Sequence, residues 1–556
     1  MADSLPGMPG SPQSWLEFLE PQLDEQHACV QPYQDYYDGK QRLQMATEKF
    51  REAFSRFFPP MANNWMQIVV DAPVSRLTVQ GFRFNTDGGQ PTQRRDGSTV
   101  QQINGKTLPW ELDADEDAWD TWQANNLDSI SRMLHTDAIK LGCAYVLVQP
   151  PDLKRPTGKH ARITPEHASQ CFVYCDPEDR KYRLAGLKRW QSDFDGLLYA
   201  NVYLPDAVYK FRAEPTRGGA EGGLLGPNGR PISSRKTSWE AIGSVPNPMG
   251  VVPLILLENK PDLLYGGRSD LESAVHIQDC VNKLCLDMMV SSEFHAYPQR
   301  WAAGWDRAVD SKGRELSGRE VELYLSAARV IRSENEQTKF GQFEMGNVEN
   351  YLKPIEEYVD HLAAQTQTPL YYLKGKMAAM SADAMHAQDQ GLVDRCNGKI
   401  LSFSDGWEEV MRTAMLAEGD QQRGNAVSAE VIWADPESKS LAVLVQAAMI
   451  MRTQLSVPVE MCWEMLGWSP QKIRLARDIM GLPPGGAVPA AVDPLSGALV
   501  IGTEGMAQVG AEEPNDPNQH PGNQQGGTRG QAGQTVKSGT AAIRASLPAS
   551  RTETPG

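Results

Sequence analysis

The sequence predicts an α+β fold that is mainly helical, and three observations carry that reading. In the first half, helical stretches give way to a meander of short strand signals separated by turn residues. In the second half the pattern changes to long runs of helical apolar periodicity. From Gly481 onward the chain is Gly, Pro, Gln, Ala and Ser with almost no large apolar residue, which predicts a disordered tail. At 556 residues the chain exceeds what one hydrophobic core usually serves, so several domains are expected.

Trp15 to Phe58 reads as two helical stretches broken around Pro32, with YYDGKQRL (Tyr36–Leu43) between them. The run NWMQIVVDAPVSRL within Met61–Val79 reads as another amphipathic helix. Gly81 to Lys106, rich in Gly, Asn, Asp and Gln, predicts a hairpin with a long polar tip. Trp119 to Leu141 has helical period, with Trp119, Trp122, Leu127, Ile130, Leu134 and Ala138 on one side. Ala144–Gln149 (AYVLVQ) follows as a buried strand. Further strand signals recur at Cys171–Cys175, Ala185–Trp190, Ala200–Leu204 and Val208–Phe211, ahead of a Gly/Pro-rich loop at Gly218–Pro231.

Leu271–His295 carries Ala274, Ile277, Val281, Leu284 and Met288 at spacings of three and four, opposite Glu272, Asp279, Lys283 and Asp287. That is one amphipathic helix, roughly 37 Å long at 1.5 Å per residue. Pro298–Gly304 and Arg329–Phe343 read as strands flanking a helix at Gly318–Ala328. Asn347–Thr366 is a second long helix, and Thr368–Met380 (TPLYYLKGKMAAM) interrupts the pattern as a loop. Ser381 reads as an N-cap, with Asp383 in the first turn complementing the helix dipole. The helix it starts keeps its period through Leu392, Cys396, Ile400, Phe403, Trp407, Val410 and Ala414, for roughly 55 Å. Gly391, Gly398 and Gly406 inside it mark a kink or close packing, since each costs about 1 kcal/mol against Ala. Two or three further helices fill Pro436–Met480.

The formal net charge of -16 argues against a sequence-reading DNA binder, which carries a basic footprint. It leaves open a protein that DNA slides past, because an acidic wall repels phosphate and holds nothing. Eight cysteines without a CxxC pair are too few for a disulfide scaffold and read as structural thiols in a reducing cytoplasm. The start lacks both a basic and an apolar signal region, and the apolar runs Val251–Leu257 and Leu441–Val445 are far too short for a membrane span.

A search for chemistry returns little. There is no P-loop, HExxH, EF-hand or Cys/His zinc spacing. His160 and His167 flank a loop. Asp176, Glu178 and Asp179 cluster after a strand, where acidic turn residues are routine. Gly218–Pro231 opens no helix that would make it a phosphate cradle. A long chain without catalytic, metal or cofactor signals reads as a structural part.

The second half follows a specific order: helix, small α/β insert, helix, Lys-bearing loop, very long helix, helical cap. That order resembles the stem, clip, stem, tunnel loop, spine and crown of the portal proteins of tailed phages. LESAVHIQDCVNKLCLDMMVSSEFHAYPQRWAAG (Leu271–Gly304) resembles a first stem helix running into the clip, in the long-tailed (siphovirus) type found in phages of actinobacteria. QTQTPLYYLKGKMAAMSADAMHAQDQGLVDR (Gln365–Arg395) resembles the tunnel loop and spine start of the same group. NPMGVVPLILLENK (Asn247–Lys260) and the run from Trp122 to Pro150 resemble the wing. The resemblance covers Trp15 to Met480, and the tail departs from it.

The resemblance implies an N-terminal arm and wing over 1–267, a first stem helix over 268–295 and a clip over 296–346. It implies a second stem helix over 347–367, a tunnel loop over 368–380, a spine helix over 381–420 and a crown over 421–480, ahead of the tail at 481–556. It also implies a homo-oligomeric ring, usually of twelve subunits, placed at one capsid vertex of the virion after assembly in the bacterial cytoplasm. Its partners would be the terminase motor, major capsid and scaffolding proteins, and head-completion and tail adaptor proteins. Double-stranded DNA would pass without specific contact, and no cofactor, metal or membrane is implied.

Within that layout Glu349, Glu356, Glu357 and Asp360, against Lys353, form the candidate acidic channel face. An ordinary solvated helix face is the alternative. Lys374 and Lys376, the only charges between Thr368 and Met380, are candidates for transient phosphate contact, with Met377 beside them in the tunnel loop. Ile331 is the candidate clip-interface residue, on a strand that neighbouring subunits would pair. Two other classes remain: another virion ring, such as a head-completion or baseplate protein, and a DNA-processing enzyme.

Overall fold

The computed structural model describes residues 8–41, 63–85, 102–103, 106–107, 114–214, 224–225, 231–232, 238–264, 266–296, 300–303, 314, 337, 339–342, 349–375, 382–426, 428–437, 441–455, 457, 459–480, 491–492 and 499–500. The chain divides into two compact units, Met1–Val488 and Pro489–Gly556.

α1 (Pro12–Tyr37) opens on Ser11, whose side chain accepts from the Ser14 backbone N–H at 3.1 Å, with Pro12 in the first turn. The helix runs through both Pro21 and Pro32, so the expected break at Pro32 does not occur. Packing on either side overrides the proline penalty of about 3 kcal/mol. Leu16, Leu19 and Leu23 are buried against Leu187, Ala200 and Phe211, Val30 against Tyr145, and Tyr36 in the main core. The second helical stretch expected before Phe58 lies outside the described residues.

α2 (Trp65–Val74) starts at Asn64, whose side chain caps Gln67 N–H at 3.3 Å, and buries Met66, Val69, Val70 and Val74. β1 (Val79–Asn85) follows. β1 takes a long-range partner, which the hairpin expected from Gly81 to Lys106 did not include: it lies antiparallel to Ser428–Trp433, with Phe82 opposite Val431 and Phe84 opposite Ala429. These four side chains are buried, so the apolar alternation of β1 is satisfied by a strand far along the chain. The expected polar tip lies mostly outside the described residues, where only β2 (Gln102–Ile103) and β3 (Lys106–Thr107) pair.

α3 (Glu116–Ala124) and α4 (Leu127–Leu141) form the expected helical run, separated by Asn126 in left-handed backbone. Gly142 (φ 94) ends α4 where an added Cβ would lie 2.7 Å from the Gly267 carbonyl, so only glycine fits the turn. β4 (Cys143–Gln149) is the centre strand of a three-stranded antiparallel sheet, flanked by β5 (Arg162–Glu166) and a later strand. β6 (Cys171–Cys175), β7 (Arg183–Gln191), β8 (Leu198–Tyr203) and β9 (Ala207–Ala213) then form the expected meander. β10 (Leu224–Leu225) and β11 (Pro231–Ile232) pair briefly, and β12 (Glu240–Pro246) adds to β9 as the exposed edge of the five-stranded sheet. β13 (Leu254–Glu258) closes the three-stranded sheet on β4, with Ile255 opposite Val146.

α5 (Val275–Ala296) leads into β14 (Arg300–Ala303), which pairs antiparallel with β15 (Lys339–Gln342). β15 lies within the strand expected over Arg329–Phe343; Ile331 and the helix expected at Gly318–Ala328 lie outside the described residues. α6 (Glu349–Thr366) packs against α5. The expected loop after it contains a one-turn helix, α7 (Leu370–Lys374), set down by the burial of Leu373 in the main core. α8 (Ala382–Glu418) is the expected long helix; Ser381 itself lies outside the described residues.

Gly406 of α8 is a site of close packing: an added Cβ would stand 2.9 Å from Leu257 Cγ on β13. α9 (Gln421–Gly424) and β16 (Ser428–Trp433) follow, the latter a strand where only helices were expected. α10 (Leu441–Gln454), α11 (Val459–Met465) and α12 (Pro470–Met480) end the first unit. In the second unit β17 (Ala491–Val492) pairs with β18 (Leu499–Val500); the remainder of the expected disordered tail lies outside the described residues.

Candidate channel helices and their anchor

α5 and α6 pack against one another, and each carries its buried side chains towards one end. Val281, Cys285 and Leu286 are buried on α5, as are Val359, Leu362 and Thr366 on α6. Beyond Leu286 on α5 and before Val359 on α6 no described side chain is buried. Those are the ends joined through β14 and β15. Glu349, Glu356, Glu357 and Asp360 are all exposed on α6, as the periodicity predicts.

The structure brings two of the predicted site residues together. Lys374 Nζ, at the end of α7, lies 2.5 Å from Asp360 Oδ1, so the cation of the loop is paired with the acidic helix. Lys376 and Met377 lie outside the described residues. α7 is also fixed from its other side. Tyr371 Oη donates to Asp389 Oδ1 at 2.5 Å, and Arg76 Nη2 of the segment after α2 reaches Asp389 Oδ2 at 2.9 Å. Left-handed backbone at Gln367 (φ 51) and Gly375 (φ 60) brackets the segment.

Where α2, the end of α6, α8 and the segment ahead of α5 meet, a charged cluster is buried. Asp270 Oδ2 accepts from Arg395 Nε at 2.8 Å and lies 2.7 Å from Lys399 Nζ. Its Oδ1 lies 2.9 Å from Lys260 Nζ and 3.0 Å from Asn259 Nδ2. The Asp270 and Lys399 side chains are 1% and 2% exposed. Arg395 also donates to the carbonyls of Thr366 and Val69, both at 2.8 Å, tying the end of α6 and the middle of α2 to α8. Burial alone would raise the Asp270 carboxyl, but the Arg395, Lys399 and Lys260 charges outweigh it and hold it far below the usual carboxylate range. Burial pushes the Lys399 ammonium down to about 8 despite Asp270. None of these residues stands out as a site in the sequence, although Arg395 and Lys399 sit one turn apart on the stripe of α8 that carries Leu392, Cys396 and Phe403.

A second anchor is aromatic. His135 of α4 stacks on Phe403 at 5.1 Å and accepts at Nε2 from Trp407 Nε1 at 2.9 Å, while Trp407 meets Trp122 edge-on at 4.9 Å. Burial lowers the His135 imidazole to about 3, so it is neutral. Its Nδ1 has no hydrogen-bond partner. Among the described residues no group of His, Cys, Asp and Glu gathers to hold a metal, and no helix is long and apolar enough to cross a membrane.

The profile of the family described as phage portal protein, SPP1 Gp6-like, matches residues 16–471. The chain is 26% identical over 360 residues to the portal protein of Mycobacterium phage L5, which spans 63% of this chain and 68% of that protein. It is likewise 26% identical over 356 residues to the portal protein of Mycobacterium phage D29, again across 63% of this chain and 68% of the relative. With the family profile covering most of its length, and an α+β first half, paired long helices and a 37-residue helix behind it, the chain belongs to the SPP1 Gp6-like family of phage portal proteins.

Proposed function

We propose that the chain is one subunit of a closed ring, of twelve copies, at one capsid vertex of a tailed phage, and that DNA enters and leaves along the ring axis. The observation that carries the reading is the half-covered stem. The lower reaches of α5 and α6 are amphipathic yet have no buried side chain among the described residues, and Leu352 stands exposed. In a ring the neighbouring subunits cover such faces. Glu349, Glu356, Glu357 and Asp360, repeated around the ring, make an acidic wall past which DNA slides. Lys374 stands next to it, with Lys376 and Met377 assigned to the same tunnel loop.

The clip, with Ile331 on an inter-subunit strand, faces the terminase motor and later the head-completion and tail adaptor proteins. The major capsid and scaffolding proteins surround the wing and crown. The test is a Lys374→Ala/Lys376→Ala variant scored for DNA-filled heads at two ionic strengths. Ring formation should be intact, and retention of DNA should fall by an amount that shrinks as salt rises. Normal packaging and retention at both ionic strengths would remove the lysines from the channel.

A further inference from the structure

We infer that Asp360 is a built-in competitor of DNA phosphate for Lys374, so that the loop's cation is already engaged when the channel is empty. The inference rests on the channel reading above and adds a rule for how tightly the channel grips. The carboxylate that meets Lys374 Nζ at 2.5 Å offers the same anionic oxygen chemistry as a backbone phosphate. Both partners are open to solvent, the Lys374 side chain at 27% and that of Asp360 at 53%. An incoming phosphate can therefore reach the ammonium and displace the carboxylate without opening the core.

The geometry of α7 permits that exchange. Its position does not depend on the Lys374 pair, because Leu373 is buried and Tyr371 is held by Asp389, itself held by Arg76. Lys374 can release Asp360 while its backbone stays in place. Binding then swaps one exposed ion pair for another, and exposed pairs of this kind are nearly equal in strength. A lysine without a resident carboxylate would gain the whole contact with each phosphate and hold the DNA back. Pairing it in advance keeps the cation close to the axis and its grip low.

The test uses assembled rings of the full chain and a short blunt-ended DNA duplex, with binding read by fluorescence anisotropy at low ionic strength. Asp360→Asn should tighten binding by about two- to fivefold. Glu357→Gln, which removes an exposed acid from the same helix, should give a clearly smaller gain. In a Lys374→Ala background, Asp360→Asn should do no more than Glu357→Gln does. Asp360→Ser serves as a second removal of the carboxylate should the asparagine variant assemble poorly. Equal gains from Asp360→Asn and Glu357→Gln, or a gain that survives loss of Lys374, would overturn the inference while leaving the channel reading in place. If Lys374→Ala left duplex binding unchanged in the Asp360→Asn background as well, the channel role of Lys374 would fall together with the inference.

Discussion

Asp270→Ala is expected to lower the unfolding free energy of the subunit by about 3–5 kcal/mol, the cost of leaving buried cations without their anion. Arg395 and Lys399 would remain in the core, and Lys399 keeps only Asn259 Oδ1, at 2.7 Å. Arg395 would still bind the Thr366 and Val69 carbonyls, so α6 and α2 should stay near their places while their packing on α8 weakens. Asp270→Asn keeps the shape and loses the charge, and should fall between wild type and alanine. Denaturant unfolding followed by far-UV circular dichroism measures all three. A loss below about 1 kcal/mol for the alanine variant would mean that water or rearranged side chains satisfy the cations and that the cluster is not an anchor.

Acid is expected to weaken the subunit through His135, and replacing that residue with phenylalanine should remove the effect. The native imidazole stays neutral down to about 3, whereas an unfolded one takes up a proton near 6.5. Between those values the unfolded chain binds more protons, so stability falls as pH drops from 6.5 towards 3, by about 1.4 kcal/mol per pH unit from this group. Glu408 works the other way: burial, helped by Asp405 and Glu430, raises its carboxyl to about 7. Its native form takes up a proton first and gains stability as pH falls from there towards its ordinary value.

The readout is therefore the difference between wild type and His135→Phe across pH 4 to 7, not either profile alone. At neutral pH the variant should be less stable by about 1–3 kcal/mol, because the Trp407 N–H loses its acceptor. The gap should close and can reverse in acid. Parallel profiles would show that His135 is protonated or solvated in the native state.

Much of this architecture was legible in residue order, and the misses share a cause. Periodicity alone located the meander of strands in the first half, the two long helices after it and the 37-residue helix, because each buries one face of a regular element. Local rules failed where distant packing decided the outcome. Pro32 did not break α1, since Val30 and Tyr36 are fastened in two different cores. Phe82 and Phe84 found Val431 and Ala429, a pairing that no hairpin rule anticipates.

The same holds for the site. The acidic face of α6 was visible as a charge pattern, yet the partner of Lys374 was not, because Asp360 becomes its neighbour only when Gln367 turns the chain back. Asp270, Arg395 and Lys399 were hidden more deeply. Charged residues on an otherwise apolar stripe resemble surface positions until the fold closes over them.

The measurement that bears most directly on the account is the native mass of the purified full chain. Closed rings predict one dominant assembly at twelve times the 61.4 kDa chain mass, resistant to dilution into the micromolar range. A stable, well-folded monomer at that concentration would contradict the account, because the uncovered ends of α5 and α6 would then need no neighbour.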